Sequence, residues 1–197
     1  MDLLLIRHGT PVRVGEGEVE GPADPALSAE GRRQAELLAA WLAPERLDAV
    51  YSSPLIRALE TAAPLAARRG LPVGIVDEIA EFDRDANHYI HFEELKATRD
   101  PRLAQMVAGD LSAYGEGDPA EFAARVDLGI SGIIERHPGQ RVAVFCHGGV
   151  INAWTSMVAG VARMLWFDAG YTGISRVQAS RTGIRTILTL NEQPHLR

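Results

Sequence analysis

The chain has 197 residues, of which 46% are hydrophobic and 23% charged, and this composition is typical of a globular protein rather than a disordered or membrane-spanning one. The net charge of −6, from 20 basic and 26 acidic residues, argues against a nucleic-acid partner, which normally requires a basic face. No segment approaches the roughly 18 apolar residues that cross a bilayer, and the single cysteine, Cys146, excludes an internal disulfide. We therefore expect one cytoplasmic domain, residues 1–197, without a membrane partner.

The first predicted elements are two short strands separated by a loop and a helix. The continuous apolar run Leu3–Ile6 predicts a buried central strand. A loop rich in Gly and Pro follows from Pro11 to Pro25. Ser28 then precedes a helical pattern with apolar residues on one face, and residues 48–52 form the second predicted strand.

The next predicted helix begins after this second strand. Ser53 and Pro54 are suited to the N-cap and the first helical position of a segment that runs to about Arg69. Pro64 lies within that segment and is expected to kink or split it, since proline removes a backbone donor and crowds the preceding turn. Residues 73–76 form a third predicted strand.

The second half of the chain is less regular at its start. Residues 82–116 are predicted to be irregular, apart from a helical turn around residues 92–98. Asp118, with a proline at the next position and an acidic residue three positions on, marks the start of a helix that continues to Arg136. A buried strand is predicted at residues 142–145.

The last elements are a helix and a hairpin. Gly148 opens the helix, and the alternating segments 174–179 and 184–190 predict two antiparallel strands. Strands that alternate with helices indicate an α/β fold, a three-layer sandwich with a mostly parallel central sheet and helices on both faces.

Three predicted strand ends deliver cationic or imidazole side chains. Arg7 and His8 follow the first strand, Arg57 lies in the opening turns of the helix after the second, and His147 follows the strand at residues 142–145. In sheets of this kind, ligands bind at the carboxyl ends of the strands. The glycine after His147, Gly148, would let an anion approach amides at the positive end of a helix.

Three motifs in the chain resemble those of a known family. The segments "LLLIRHGT", "YSSPLIRALETA" and "VFCHGGVI" resemble, in order, those of the histidine phosphatase superfamily, the phosphoglycerate-mutase-like group. Three further segments, "LSAEGRRQAELLA", "IAEFD" and "LNEQPHL", are similar to that family's first helix, acidic element and C-terminal segment. The similarity covers nearly the whole chain.

The resemblance implies a role for each of these side chains. His8 would attack phosphorus through a neutral ring nitrogen and form a phosphohistidine, while its other nitrogen donates to a backbone carbonyl. Arg7 and Arg57 would bind the nonbridging oxygens with their planar guanidinium groups. His147, protonated beside the dianion, would add positive charge, helped by the amides that follow it. No metal and no cofactor is required.

The leaving alkoxide needs a proton, and by position in "IAEFD" Glu81 matches the family's general acid. Its pKa would have to be raised for this task, by burial or by substrate charge. Glu78 and Asp83 are close enough in sequence to be alternatives.

The loop after the first motif departs from the family. An asparagine that often contacts phosphate is missing there, and Arg13 is a candidate substitute. Gly9 and Thr10 are further candidates for phosphate binding, and His88 for substrate binding at the cavity mouth. Cys146 is interpreted as a core residue, because it alternates to the opposite face of its strand.

The function expected from these features is hydrolysis of a small phosphorylated metabolite. A phosphoglycerate-mutase-type transfer is the alternative, but mutases of the family carry a longer insertion between the acid and the second histidine. Here that interval is only 147 − 81 = 66 positions. A catalytically silent binding module on the same fold is disfavoured by the complete set of site residues. An exposed edge strand could pair two subunits into a homodimer.

Overall fold

A computed structural model describes residues 1–15, 18–89, 91–112 and 117–197. Within these residues the strands are β1 (Asp2–Arg7), β2 (Ala49–Ser52), β3 (Val73–Ile75), β4 (Arg141–Cys146), β5 (Ile174–Ala179) and β6 (Arg185–Glu192). The helices are α1 (Ala29–Leu42), α2 (Ile56–Arg69), α3 (Phe92–Thr98), α4 (Pro101–Ala108), α5 (Pro119–Arg136) and α6 (Gly148–Ala159). None of the described helices has both the length and the apolar character needed to cross a membrane.

The strands form one sheet in the order β3-β2-β4-β1-β5-β6. The four strands β3, β2, β4 and β1 are parallel to one another, whereas β5 is antiparallel to β1 and to β6. The predicted mostly parallel sheet and the C-terminal hairpin are therefore confirmed. β1 and β4 lie side by side at the centre, which is why both are continuously apolar.

Helices cover both faces of this sheet, as predicted. Along β1, Leu4 and Ile6 pack in a cluster with residues of α1 and α2. Leu3 and Leu5 point to the other face and pack with residues of α5 and α6, because successive side chains of a strand alternate. Cys146 lies fully buried in this second cluster, where burial raises the pKa of its thiol, so its interpretation as a core residue is confirmed.

Two predicted helix starts are confirmed by their caps. Ser28 precedes α1, and its side-chain oxygen accepts a hydrogen bond from the amide of Gly31 at 3.1 Å. Asp118 precedes α5 and accepts from the amide of Ala120 at 2.7 Å. Each cap satisfies one of the donors that a helix N-terminus leaves open.

The predicted start of α2 is wrong by two residues. Ser53 and Pro54 lie before the helix, whose N-cap is Leu55, without a side-chain hydrogen bond. The amide of Ile56 instead donates to the carboxylate of Asp24, at 2.9 and 3.1 Å to its two oxygens. A carboxylate from a distant loop thus replaces the local cap, which a pattern confined to neighbouring residues cannot reveal.

Of the kink or split expected at Pro64, the split is absent, since α2 runs without a break across this residue. Beyond the proline, Leu65 and Ala66 are buried in the cluster with α1 and the sheet. This packing favours continuation of α2 as a helix despite the lost backbone hydrogen bond.

The region predicted to be irregular contains two helices. The turn around residues 92–98 is confirmed as α3, but α4 was missed. Asp100 caps α4 by accepting from the amide of Arg102 at 2.9 Å, and Pro101 occupies its first position. This is the same Asp-Pro signal that identified α5. Residues 113–116 of the region lie outside the described part of the chain.

Candidate active site

The two motif histidines meet because β1 and β4 are parallel neighbours. Arg7 pairs in register with Cys146, so the next residues, His8 and His147, leave the sheet at the same edge. Their ring centroids are 5.1 Å apart, and both side chains are buried. The predicted convergence of distant chain segments is therefore present in the structure.

The backbone fixes the orientation of the His8 ring. Its Nδ1–H donates to the carbonyl oxygen of Gly9 at 2.8 Å, which leaves Nε2 with its lone pair. The amide of Gly9 in turn donates to Oγ1 of Thr61 at 2.9 Å. A Cβ at Gly9 would lie 2.7 Å from the carbonyl oxygen of Gly31, so only glycine fits against α1 here. Burial, reinforced by Arg57 and Arg7, lowers the pKa of His8 well below its usual value.

Arg7 is held in place by three contacts. Its Nη1 donates to Oε1 of Glu93 at 2.7 Å and to the carbonyl oxygen of Ala169 at 2.6 Å. Its guanidinium lies over the ring of Tyr171, with Cζ 3.9 Å from the centroid. Glu93 belongs to α3, so this short helix orients Arg7, which is a predicted site residue.

Arg57 is buried between two carboxylates and an aromatic ring. Its Nη2 donates to Oδ1 of Asp83 at 3.0 Å, and its Nη1 lies 3.6 Å from Oδ1 of Asp24. Its Cζ is 4.7 Å from the ring centroid of Tyr89. Burial and the nearby Glu81 raise the pKa of Asp83 to about 7, although Arg57 opposes this shift.

Glu81 is 2% exposed, and its carboxylate accepts hydrogen bonds from two backbone amides. Its Oε2 accepts from the amide of Gly149 at 2.8 Å, and its Oε1 accepts from the amide of Phe82 at 2.9 Å. The carboxylate thus occupies the N-terminal end of α6, where the dipole favours negative charge. A Cβ at Gly149 would lie only 2.4 Å from Oε1 of Glu81.

The alternative acids are placed differently from Glu81. Asp83 is bound to Arg57, and neither it nor Glu78 lines the cavity that holds His8. Glu78 packs against α5, since a Cβ added at Gly129 of that helix would lie 2.7 Å from the Cβ of Glu78.

His147 is bound through one nitrogen and enclosed at the other. Its Nε2 lies 2.7 Å from Oγ of Ser53, while its buried Nδ1 has no hydrogen-bond partner among the described residues. Burial lowers the pKa of His147 well below its usual value, and Arg57, His8 and Arg7 add to the effect. The protein alone therefore favours a neutral His147, and a dianion would be needed to favour the imidazolium expected from the sequence.

A cavity of about 260 Å³ opens onto these residues. Of the predicted site residues, Arg7, His8, Arg57, Glu81 and Gly148 line it, while His147 does not, although its ring centroid is 5.1 Å from that of His8. The remainder of its lining comes from α3, α4, α6 and the segment before β5, namely Tyr89, Phe92, Lys96, Leu103, Val107, Gly149, Asn152, Arg163, Leu165, Trp166, Phe167, Asp168 and Ala169.

Four predicted binding residues do not line this cavity. The carbonyl oxygen of Gly9 accepts the hydrogen bond from Nδ1 of His8. Thr10 donates from both its amide and its hydroxyl to Oε1 of Gln34, at 2.9 and 3.1 Å. Arg13 is exposed and forms an ion pair with Glu94. His88 and Arg13 line a separate surface cleft, apart from the cavity that holds His8.

The chain is similar to known proteins over nearly its whole length. Residues 3–193 match the family model of the histidine phosphatase superfamily, branch 1. The chain belongs to this superfamily. Phosphoserine phosphatase 1 of Hydrogenobacter thermophilus is 32% identical over 199 residues, which are 98% of this chain and 93% of that protein. The α-ribazole phosphatase of Shigella flexneri superposes with a TM-score of 0.74 at 28% identity, over 98% of this chain and 96% of that one.

The superfamily fold also extends to a more distant enzyme. A phosphoserine phosphatase of Entamoeba histolytica superposes with a TM-score of 0.76 at 23% identity, over 100% of this chain and 99% of that one. Within the described residues of this superfamily member, no group of three His, Cys, Asp or Glu side chains is arranged to hold a metal ion.

Several side chains at the site of this superfamily member were missed by sequence reasoning. Tyr89, Tyr171 and Glu93 contact the two arginines, and Ser53 contacts His147. Tyr89 follows directly after His88, so the correct loop was identified but the wrong residue was chosen. Tyr171 and Glu93 have no local motif, because their partner Arg7 is remote in sequence.

Proposed function

We propose that this protein is a metal-independent phosphatase that hydrolyses small phosphomonoesters through a phosphohistidine on His8. One observation carries the proposal. An imidazole whose Nδ1–H is fixed by a backbone carbonyl lines the same cavity as two guanidinium groups and a buried carboxyl group. This combination supplies a nucleophile, charge stabilisation and a proton donor in one place.

In the first step, the Nε2 lone pair of His8 attacks phosphorus. The bond between phosphorus and the alcohol oxygen breaks, and its electron pair stays on that oxygen. The negative charge of the bound dianion offsets the preference of the α6 N-terminus for a carboxylate, so Glu81 enters as the carboxylic acid and gives the oxygen its proton. The products are the neutral alcohol, a phosphohistidine and the Glu81 carboxylate.

In the second step, the Glu81 carboxylate removes a proton from water as the water oxygen attacks phosphorus. The bond between phosphorus and Nε2 breaks, and its electron pair returns to the ring. Inorganic phosphate leaves, Glu81 is protonated again, and His8 is ready for another cycle.

The positive charges act on the oxygens of the transferred group. Arg7 and Arg57 are oriented by Glu93 and by Asp83 and Asp24, so little reorganisation is needed when the dianion binds. The dianion would also favour a protonated His147, because an opposite charge nearby raises the pKa of an imidazole.

Transfer to a second hydroxyl, as in a phosphoglycerate mutase, is the alternative. One relative, at 29% identity over 157 residues, is named phosphoglycerate mutase-like protein 4 of Arabidopsis thaliana. Several others carry the names of phosphatases, including a metal-independent phosphoserine phosphatase of the same plant at 31% identity over 158 residues. These names and the short interval between Glu81 and His147 support hydrolysis. Phosphate release from p-nitrophenyl phosphate, compared with isomerisation of 3-phosphoglycerate, separates the two reactions.

The wider setting follows from the sequence. We infer one domain over residues 1–197 that acts on a small phosphorylated metabolite in the cytoplasm, the latter because the single cysteine is buried and unpaired. Pairing of two subunits through the edge strand β6 stays a prediction.

The covalent intermediate provides the test. Protein mixed with ³²P-labelled p-nitrophenyl phosphate and quenched in alkaline detergent should carry an acid-labile label, which His8→Ala abolishes together with turnover. His137→Ala is the control, since it removes a histidine at the end of α5, remote from the cavity, and it should retain the label. Full turnover by His8→Ala would refute the mechanism.

A further inference from the structure

Six half-buried apolar side chains line part of the active-site cavity. We call this surface the apolar wall, and it consists of Phe92, Leu103, Val107, Leu165, Trp166 and Phe167. It faces the space that the alcohol part of a substrate would occupy when phosphorus is next to His8. The wall is built by α3, α4 and the segment between α6 and β5.

The polar groups next to the apolar wall are already used within the protein. Asn152 donates from Nδ2 to the carbonyl oxygen of Gly148 at 3.0 Å, and its Oδ1 accepts from the amides of Trp166 and Phe167 at 2.9 and 3.1 Å. The indole N–H of Trp166 donates to Oγ1 of Thr155 at 3.2 Å. A polar substrate group placed here would lose its hydrogen bonds to water without replacing them.

Charged side chains of both signs line the cavity beside the apolar wall. Lys96 forms an ion pair with Asp168. Arg163 is exposed and forms no ion pair with any residue that the structure describes. Because Glu81 and Asp168 line the same cavity, these charges do not set the substrate class.

We infer that the preferred substrates are phosphomonoesters of apolar, ring-bearing alcohols. The inference rests on the proposed function and names the substrate class of the same site. The reaction consumes one phosphomonoester and one water and yields the apolar alcohol and inorganic phosphate. The apolar wall would bind the ring, while the floor of the cavity binds the phosphoryl group.

The test compares substrates whose leaving groups are all aliphatic alkoxides, so that chemical reactivity does not dominate the result. We expect kcat/KM for 2-phenylethyl phosphate to exceed that for ethyl phosphate by at least about tenfold, the range typical of contacts in an apolar pocket. O-phosphoserine and 3-phosphoglycerate should not exceed ethyl phosphate. A higher kcat/KM for either of them than for 2-phenylethyl phosphate would overturn the inference.

A double variant on α4 tests whether the apolar wall is responsible. Leu103 and Val107 are one turn apart on the face towards the cavity, and Leu103→Asn with Val107→Asn should lower kcat/KM for 2-phenylethyl phosphate by about tenfold. The matched control, Ala104→Asn with Ala108→Asn, places the same amides on the exposed face of the same helix and should leave it unchanged. Equal losses in both double variants would refute the role of the wall.

Two measurements separate this inference from the proposed function. Inhibition by inorganic phosphate reports on the floor of the cavity and should be the same in both double variants, which also shows that the protein is folded. If no phosphomonoester is hydrolysed and His8 takes no label, the proposed function fails. If His8 is labelled but the ring gives no advantage, only the inference fails.

Discussion

Replacing Gly149 by alanine perturbs the Glu81 carboxylate without altering its chemistry. The new Cβ would lie 2.4 Å from Oε1, whereas ordinary contact begins at 3.4 Å, so the carboxylate must move by about 1 Å. That shift also weakens its 2.8 Å hydrogen bond to the amide of residue 149. A displacement of about 1 Å at a reacting group lowers rates by about 10²-fold.

The assay uses two substrates that differ in their need for a proton donor. We expect kcat/KM of Gly149→Ala to fall about 10²-fold with ethyl phosphate. With p-nitrophenyl phosphate, whose phenolate leaves without protonation, the loss should be much smaller, since kcat/KM covers the steps up to departure of the alcohol. Gly132→Ala is the control, because a Cβ there meets nothing closer than 4.0 Å. Equal losses with both substrates would refute the assignment of Glu81 as the general acid.

Three further predictions concern stability, pH and the second histidine. Gly129→Ala, whose Cβ would lie 2.7 Å from a neighbouring side chain, should lower the free energy of unfolding in urea by about 1–3 kcal/mol, whereas Gly132→Ala should raise it by about 0.5–1 kcal/mol. Burial raises the pKa of Asp83 to about 7, so the folded state holds this proton more tightly than the unfolded chain. Stability should therefore fall as the pH rises from about 4 to 7, and Asp83→Asn should flatten that slope in urea titrations. Ser53→Ala removes the hydroxyl next to His147 and should lower kcat/KM about two- to tenfold, the effect of one hydrogen bond; an unchanged kcat/KM would contradict this role.

The sheet and the convergence of its strand ends could be predicted from the sequence because both depend on local patterns. The apolar run before Arg7 and the one before His147 each predict a buried strand. Parallel neighbours then bring their carboxyl ends to one edge. The alternation along the last two strands likewise predicts the hairpin, and the Asp-Pro pair predicts the start of α5. Each of these conclusions requires only residues that are adjacent in the chain.

The partners of the site residues could not be predicted in the same way. Ser53 has the right type and position for a helix cap, but its hydroxyl lies next to His147, 94 positions along the chain. Thr10 follows the motif directly, yet a glutamine on α1 takes both of its donors. Arg13 and His88 lie in loops, where the direction of a side chain follows from tertiary contacts and not from periodicity.

The carboxylate of Asp24 both caps a helix and lies next to an arginine. It accepts the first amide of α2 and also lies next to the guanidinium of Arg57. The loop that carries Asp24 therefore helps to orient Arg57, which lines the cavity. A change in the length of this loop can be tolerated only if a negative group stays next to Arg57 and the first turn of α2. The sequence of the loop is therefore constrained by the position of a buried arginine.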